Sequence, residues 1–217
     1  MNITSPRISP QLIRIDDFLS CVQDFLAEEL PICEIDSREE RIEGAELVKI
    51  EIRNSIFKNC TFHTCDFEKS SFIDVIFQAC DFSNSKFQEA YFERCQFVSC
   101  KCIGIDMSHT VVKNTVFEKS NLQYAYFNKT KITDVLFDHI DFTEASIIES
   151  KLKRFAVMNS KFINTNFFKT MLENVDFSNS ELVTPLVSMP PTELKGSIIN
   201  MFQAANLIGL LGIRVKP

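Results

Sequence analysis

Residues 57–72 read Phe57-Lys58-Asn59-Cys60-Thr61-Phe62-His63-Thr64-Cys65-Asp66-Phe67-Glu68-Lys69-Ser70-Ser71-Phe72, with phenylalanine returning at every fifth place. The step continues through Phe77, Phe82, Phe87, Phe92 and Phe97, and recurs at Phe117, Phe127, Phe137, Phe142, Phe162, Phe167 and Phe177. From Leu47 to Leu182 all 28 centres are apolar, sixteen are Phe, and the register never slips. Two residues before each centre lies a second column, including Cys60, Cys65, Ser70, Cys80, Ser85, Ala90, Cys95, Cys100, Thr110 and Ser120. Its members are small or β-branched; Phe155 is the one large departure. The remaining three positions of each five are mostly polar or charged.

A period of five fits neither the 3.6 of a helix nor the 2.0 of a strand. It requires a chain that turns a corner every five residues, with one large and one small side chain facing inward on each side. Four such sides close a square coil of twenty residues. Stacked coils contact only their neighbours, so stability is roughly a sum of local interfaces, and the two open ends need caps.

Composition supports one repeated geometry. The 217 residues hold 21 Phe, 5 Gly and no Trp, unlike an average globular domain. No apolar run reaches the length of a membrane span, and no basic n-region precedes an apolar stretch, so a cytoplasmic location is expected. The eight cysteines then read as small buried hydrophobes. Net charge is −6, with ten acids against four arginines in residues 1–44 and 18 acids against 16 bases in residues 45–184.

Three segments follow: an acidic N-terminal extension over 1–44, about seven coils over 45–184, and a C-terminal segment over 185–217. Residues 9–30 are predicted helical, with Ser9 as N-cap, Pro10 at the first helical position and Leu12, Ile15, Leu19, Val22, Phe25 and Leu26 on one face. That face could cap the first coil or cover an apolar outer stripe formed by Ile56, Ile76, Val98, Val116, Leu136, Ala156 and Met158. Thr192–Leu211 is also predicted helical, and docking on the last coil or on a second copy would bury its apolar residues.

The units Cys80-Asp81-Phe82-Ser83-Asn84 and Val175-Asp176-Phe177-Ser178-Asn179 resemble the pentapeptide-repeat family. That resemblance implies an all-β solenoid, a right-handed quadrilateral β-helix. The C-terminal pattern Gln203-Ala204-x-x-Leu207-x-x-x-Leu211-Gly212-Ile213-x-Val215 looks like the last helix of the Qnr quinolone-resistance proteins. In that subfamily the helix joins two rods tail to tail, and the rod, a mimic of duplex DNA, protects type II topoisomerases, DNA gyrase above all. The resemblance therefore implies a homodimer through Ile198, Phe202, Gln203, Ala205, Leu207, Leu211 and Ile213, and a topoisomerase partner. The sequence departs from it in a near-balanced repeat charge and an unbroken register without loops.

The acids best placed to meet such a partner are Asp66, Glu68, Glu89 and Asp106 on one side and Asp141 and Glu144 on the next. No catalytic residue is called. A general base needs a nucleophile and an orienting partner within reach, and nothing supplies both to His63, His109 or His139. Cys60, Cys80 and Cys100 stack twenty apart, read as structural rather than as a disulfide or metal pair. No cofactor or metal, no direct nucleic-acid binding and no membrane partner are expected. A scaffold or immunity-type protein with a non-topoisomerase partner is the other reading.

Overall fold

The computed structural model describes residues 3–28 and 30–214, apart from the side chain of Phe25; Val215 of the C-terminal pattern lies outside them. The chain winds as an all-β solenoid of about eight coils. From Glu34 to Asn174 every fifth residue takes a left-handed backbone, with φ between 47° and 66°. These are the corners. Such a conformation costs a residue with a Cβ roughly 1–2 kcal/mol, and Asn tolerates it best after Gly, which explains Asn54, Asn59, Asn84, Asn114, Asn159, Asn164 and Asn174 at these places.

Through most of the rod each residue lies beside the one twenty later. Strand Glu51–Lys58 pairs in parallel with Ser71–Gln78, setting Phe57 beside Phe77, and Val111–Glu118 pairs likewise with Lys131–Asp138. These eight-residue strands cover two adjacent sides of the square. The other two sides are tighter turns joined mostly by single bridges, such as Asp66↔Lys86↔Asp106, with three-residue strand pairs near the ends, as Lys161–Ile163 with Glu181–Val183. At about 4.8 Å per layer, eight coils make a rod of roughly 38 Å.

The sixteen repeat phenylalanines are at most 2% exposed. Rings one layer apart stack in the first half of the rod, as in Phe62 with Phe82 (5.3 Å, 8°) and Phe97 with Phe117 (4.6 Å, 6°), while Phe117 meets Phe137 edge-on (5.1 Å, 73°). Neighbours within a coil meet edge-on, as Phe62 does Phe67 (5.7 Å, 74°). Both arrangements suit the ring quadrupole. The small column has its own chemistry. Ser70 Oγ accepts the Ile50 N–H at 3.2 Å and donates to the Leu47 carbonyl at 2.9 Å, and Ser150 repeats this with Thr130 (2.9 Å) and Phe127 (2.7 Å). Cysteine takes the donor half: Cys80, Cys95 and Cys100 donate to the carbonyls of Phe57, Phe72 and Phe77 at 3.3–3.5 Å. Position n thus ties back to layer partners n−20 and n−23.

Both ends differ from the sequence expectation. The coil register begins at Ile32, which pairs with Ile52, so the solenoid starts about three sides of a coil before residue 45. Acidic composition hid this coil, because Ile32, Ser37 and Ile42 keep the inward columns while the outward positions carry the charge. The N-terminal helix is shorter than 9–30. Ile13–Ile15 is a strand that pairs with Ile35–Ser37, since the outer edge of the first coil needs a backbone partner. The helix, α1, runs Phe18–Ala27, capped by Asp17, whose carboxylate accepts the Ser20 N–H at 3.0 Å; Ser9 lies outside it.

At the far end Thr192–Leu211 is not one helix. A 3-10 turn over Thr192–Leu194 leads to Gly196 at φ +78°, a conformation no helix continues through. Ile198 then bridges to Asp176 as a last strand-like layer. The helix α2, Met201–Leu207, starts at Asn200 with a capping box closed by Gln203.

Candidate interaction surfaces

Phe18 and Val22 of α1 are buried against the solenoid, and Cys21 packs beside them. The Phe18 ring meets Phe57 and Phe62 edge-on. The helix therefore closes the first coil and does not cover the outer apolar stripe. That stripe is a broken ladder: Ile56↔Ile76 and Val116↔Leu136↔Ala156 are in register, half-buried by their neighbours, but Gln96 stands between Ile76 and Val116, and Val98 and Met158 lie two residues off it, beside Gln78 and Asp138. The segment before the first strand lies along a corner column. Asp74, buried, accepts the Arg7 N–H at 2.9 Å and a two-pronged pair from Arg94 at 2.7 and 2.8 Å. Burial alone would raise the Asp74 carboxyl, but Arg94 and the Arg7 N–H outweigh it and hold it low.

The six acids expected to meet a partner are not an uninterrupted negative surface. Lys69 bonds Glu68 at 2.6 Å and approaches Glu89 at 4.0 Å, and Lys86 lies 3.9 Å from Asp66. Three of the acids also hold their own turns: Asp66, Asp106 and Asp141 accept the N–H two residues on, from Glu68, Ser108 and Thr143, at 2.9–3.1 Å. Gln88 and Gln123 donate to Asp106 and Asp141. Glu144 stands at a corner with φ +54°. These carboxylates do local structural work before they meet any partner.

The C-terminal end presents apolar surface. Met201 and Phe202 are each 76% exposed, Leu211 62% and Ile198 50%, and Ala205 and Ile213 are exposed too. Gln203 and Leu207, expected on the same face, instead seal the last coil. Gln203 Nε2 donates to the carbonyls of Phe177 (3.1 Å) and Ser180 (2.6 Å), satisfying carbonyls that have no further layer above them.

Glu193, which no sequence pattern marks, is fully buried at this end. Its carboxylate accepts the N–H groups of Lys169 (2.7 Å) and Ser188 (3.1 Å) and the Ser188 hydroxyl. Burial works to raise its pKa, and these bonds together hold it below the ordinary carboxylate value. The Asp74–Arg94 pair, also missed, was within reach: the two stand twenty apart at corner positions of opposite charge.

The cysteines are all free thiols. Cys80 is pushed up to about 12, the neighbouring Cys100 thiol being the largest cause, and Cys95 to about 12 by burial. Thiols held this far up are not nucleophiles. Among the described residues no group of three His, Cys, Asp or Glu converges on one point, and no helix is long and apolar enough to cross a membrane.

This geometry, a corner every fifth residue and layers in twenty-residue register, defines a β-solenoid of five-residue units. Residues 70–139 match the family model described as pentapeptide repeat region, and the chain carries such a region there. Solved structures similar to it include QnrB1, a plasmid-mediated fluoroquinolone resistance protein, at 18% identity over 87% of this chain and 100% of that one, with a TM-score of 0.43. A pentapeptide repeat protein from the Arabidopsis thaliana thylakoid lumen is 23% identical over 44% of this chain and 63% of its own, with a TM-score of 0.39. HetL, a pentapeptide repeat protein involved in heterocyst differentiation regulation in Nostoc, is 12% identical over 86% of this chain and 97% of its own, with a TM-score of 0.24. No curated protein matches the sequence.

Proposed function

We propose that this protein is a non-catalytic binding rod, a homodimer joined through its C-terminal end, that binds a type II topoisomerase, DNA gyrase above all, and protects it from quinolones. The observation that carries the reading is the apolar end formed by Met201, Phe202 and Leu211. A monomer gains nothing by exposing it, and a second copy would cover it and double the rod. The resemblance of Gln203–Ile213 to the Qnr C-terminus supplies the partner. A supercoiling assay with gyrase and ciprofloxacin tests this: restored supercoiling as protein is added is the expected result, and no protection over a wide concentration range rejects it.

One observation favours a protein partner other than a topoisomerase. A mimic of duplex DNA should present a run of negative charge, yet Lys69 and Lys86 interrupt the acids of the Asp66 side. On that reading the dimeric rod is a scaffold or immunity-type protein, and affinity capture from cytoplasm recovers a partner without gyrase subunits.

A further inference from the structure

One layer of the solenoid is split open along two of its four sides. Strand Lys151–Met158 pairs along its whole length with Lys131–Asp138, and there the sheet ends. No backbone hydrogen bond joins it to residues 171–178, the next turn of the coil. The same coil is closed on its other two sides: Phe162 lies beside Leu182, and Phe167 N–H donates to the Leu186 carbonyl at 2.9 Å. Residues 172–177 bond onward instead, as Leu172 N–H does to the Glu193 carbonyl at 2.9 Å. In an intact layer Arg94 N–H reaches the Lys113 carbonyl at 3.0 Å; among the described residues the N–H groups of Leu152, Arg154 and Val157 have no such acceptor in the next turn.

Phe155 accounts for the split. It occupies the small column, where every other layer has room for a hydroxyl, a thiol or a short aliphatic group. Its ring packs edge-on to Phe137 at 5.1 Å. The result is a cleft of about 560 Å³ with Leu152, Phe155, Met171 and Val175, the counterpart of Phe155 twenty residues on, among its lining residues.

We propose that this cleft takes a short, extended, acidic segment of a partner protein, added as a parallel strand to the free edge of Lys151–Met158. An unpaired strand edge is a template for such pairing. The molecule already closes its opposite edge this way, with Ile13–Ile15 laid on Ile35–Ser37. Charge sets the chemistry of the occupant. Lys151 and Lys153, on the free strand at the rim of the cleft, are exposed and enter no ion pair among the described residues; Arg154 is paired with Asp134, and Glu173 is the one acid among the lining residues. Strand addition fixes the backbone of the occupant, and the two lysines favour Glu or Asp at its outward positions. This site includes none of Met201, Phe202 or Leu211 and none of the six acids, so its test involves no topoisomerase.

The test uses the full chain and fluorescein-labelled eight-residue peptides, read by anisotropy and by hydrogen exchange. A peptide alternating Glu and Val is expected to bind and to slow exchange at Leu152, Arg154 and Val157. The same peptide with N-methylated amides, and a Lys–Val counterpart, should bind about tenfold more weakly or worse. Phe155→Ser, which restores the small column and lets the layer close, and the pair Lys151→Glu with Lys153→Glu should each weaken binding by about tenfold or more. No binding, equal binding of the N-methylated peptide, or tighter binding of an oligo-dT strand than of the Glu–Val peptide overturns the proposal. Should Phe155→Ser fail to fold, exchange in the unaltered protein decides: Leu152, Arg154 and Val157 amides as protected without peptide as Ile132 would also overturn it.

Discussion

Phe18 sets its ring edge-on to Phe57, with centroids 5.3 Å apart and planes at 86°, so a side chain from α1 completes the floor of the solenoid. Phe18→Ala would leave a hole under the first coil and is expected to cost about 3–5 kcal/mol. Urea unfolding measures the loss, and hydrogen exchange should localise it to residues 32–58. Glu40 seats the same helix by accepting the Phe18 N–H at 3.1 Å. Burial, reinforced by Asp17 and Asp16, pushes the Glu40 carboxyl up despite that bond. A carboxyl raised by folding subtracts stability once it ionises, so Glu40→Gln should be neutral or stabilising at pH 7.

Glu193 has the opposite sign. Its carboxyl is held below the ordinary value of 4.5, so its contribution is complete above that pH and is lost as pH falls through the folded value. Glu193→Gln is expected to cost about 1–3 kcal/mol at pH 7. The gap from the unaltered protein should close as pH falls through the lowered folded value. Urea midpoints taken at several pH values check this; a gap that persists unchanged at low pH would show that packing, not charge, dominates.

Six of the eight cysteines are buried, and only Cys21 and Cys33 are partly exposed. A thiol reagent should therefore label two sites in the native chain and eight in denaturant. Cys80→Ser gives the small column a hydroxyl able both to donate to Phe57 and to accept an N–H, and it should be neutral or stabilising by about 1 kcal/mol. Labelling of Cys80 in the folded protein would contradict the ladder.

Met201 and Phe202 point away from the last coil while Gln203 holds it. Replacing both exposed residues with Asp should halve the mass seen by light scattering and leave the circular dichroism spectrum unaltered. This separates dimerisation from capping, which truncation after Met189 would not, because that cut also removes Glu193 and Gln203. An unchanged mass would reject the dimer.

The five-residue phase of Phe57 to Phe177 made the solenoid legible, because a large inward residue at each side is what the square cross-section demands. The ends were harder. Ile32, Ser37 and Ile42 obey the same phase, but with only three such units between Pro31 and Leu47 the charged outward positions masked them. Pro10 and Ser9 fit a helix start by local chemistry, yet the bare edge at Ile35–Ser37 drew Ile13–Ile15 into a strand. Helix α2 was legible in part; that Gln203 turns inward depends on carbonyls of Phe177 and Ser180, which only the assembled layer brings together. Among the surface candidates the acids were readable by position, but not the lysines that neutralise them across a layer.

The twenty-residue register between neighbours such as Phe57 and Phe77 makes the rod behave like a screw with two independent settings. Removing or duplicating twenty residues would shorten or lengthen it by one pitch and leave α1 and α2 facing the same compass points. A change of five would leave the length nearly alone but swing one terminus about a quarter turn against the other. Evolution can thus re-aim the tip of this molecule without touching what it is built from.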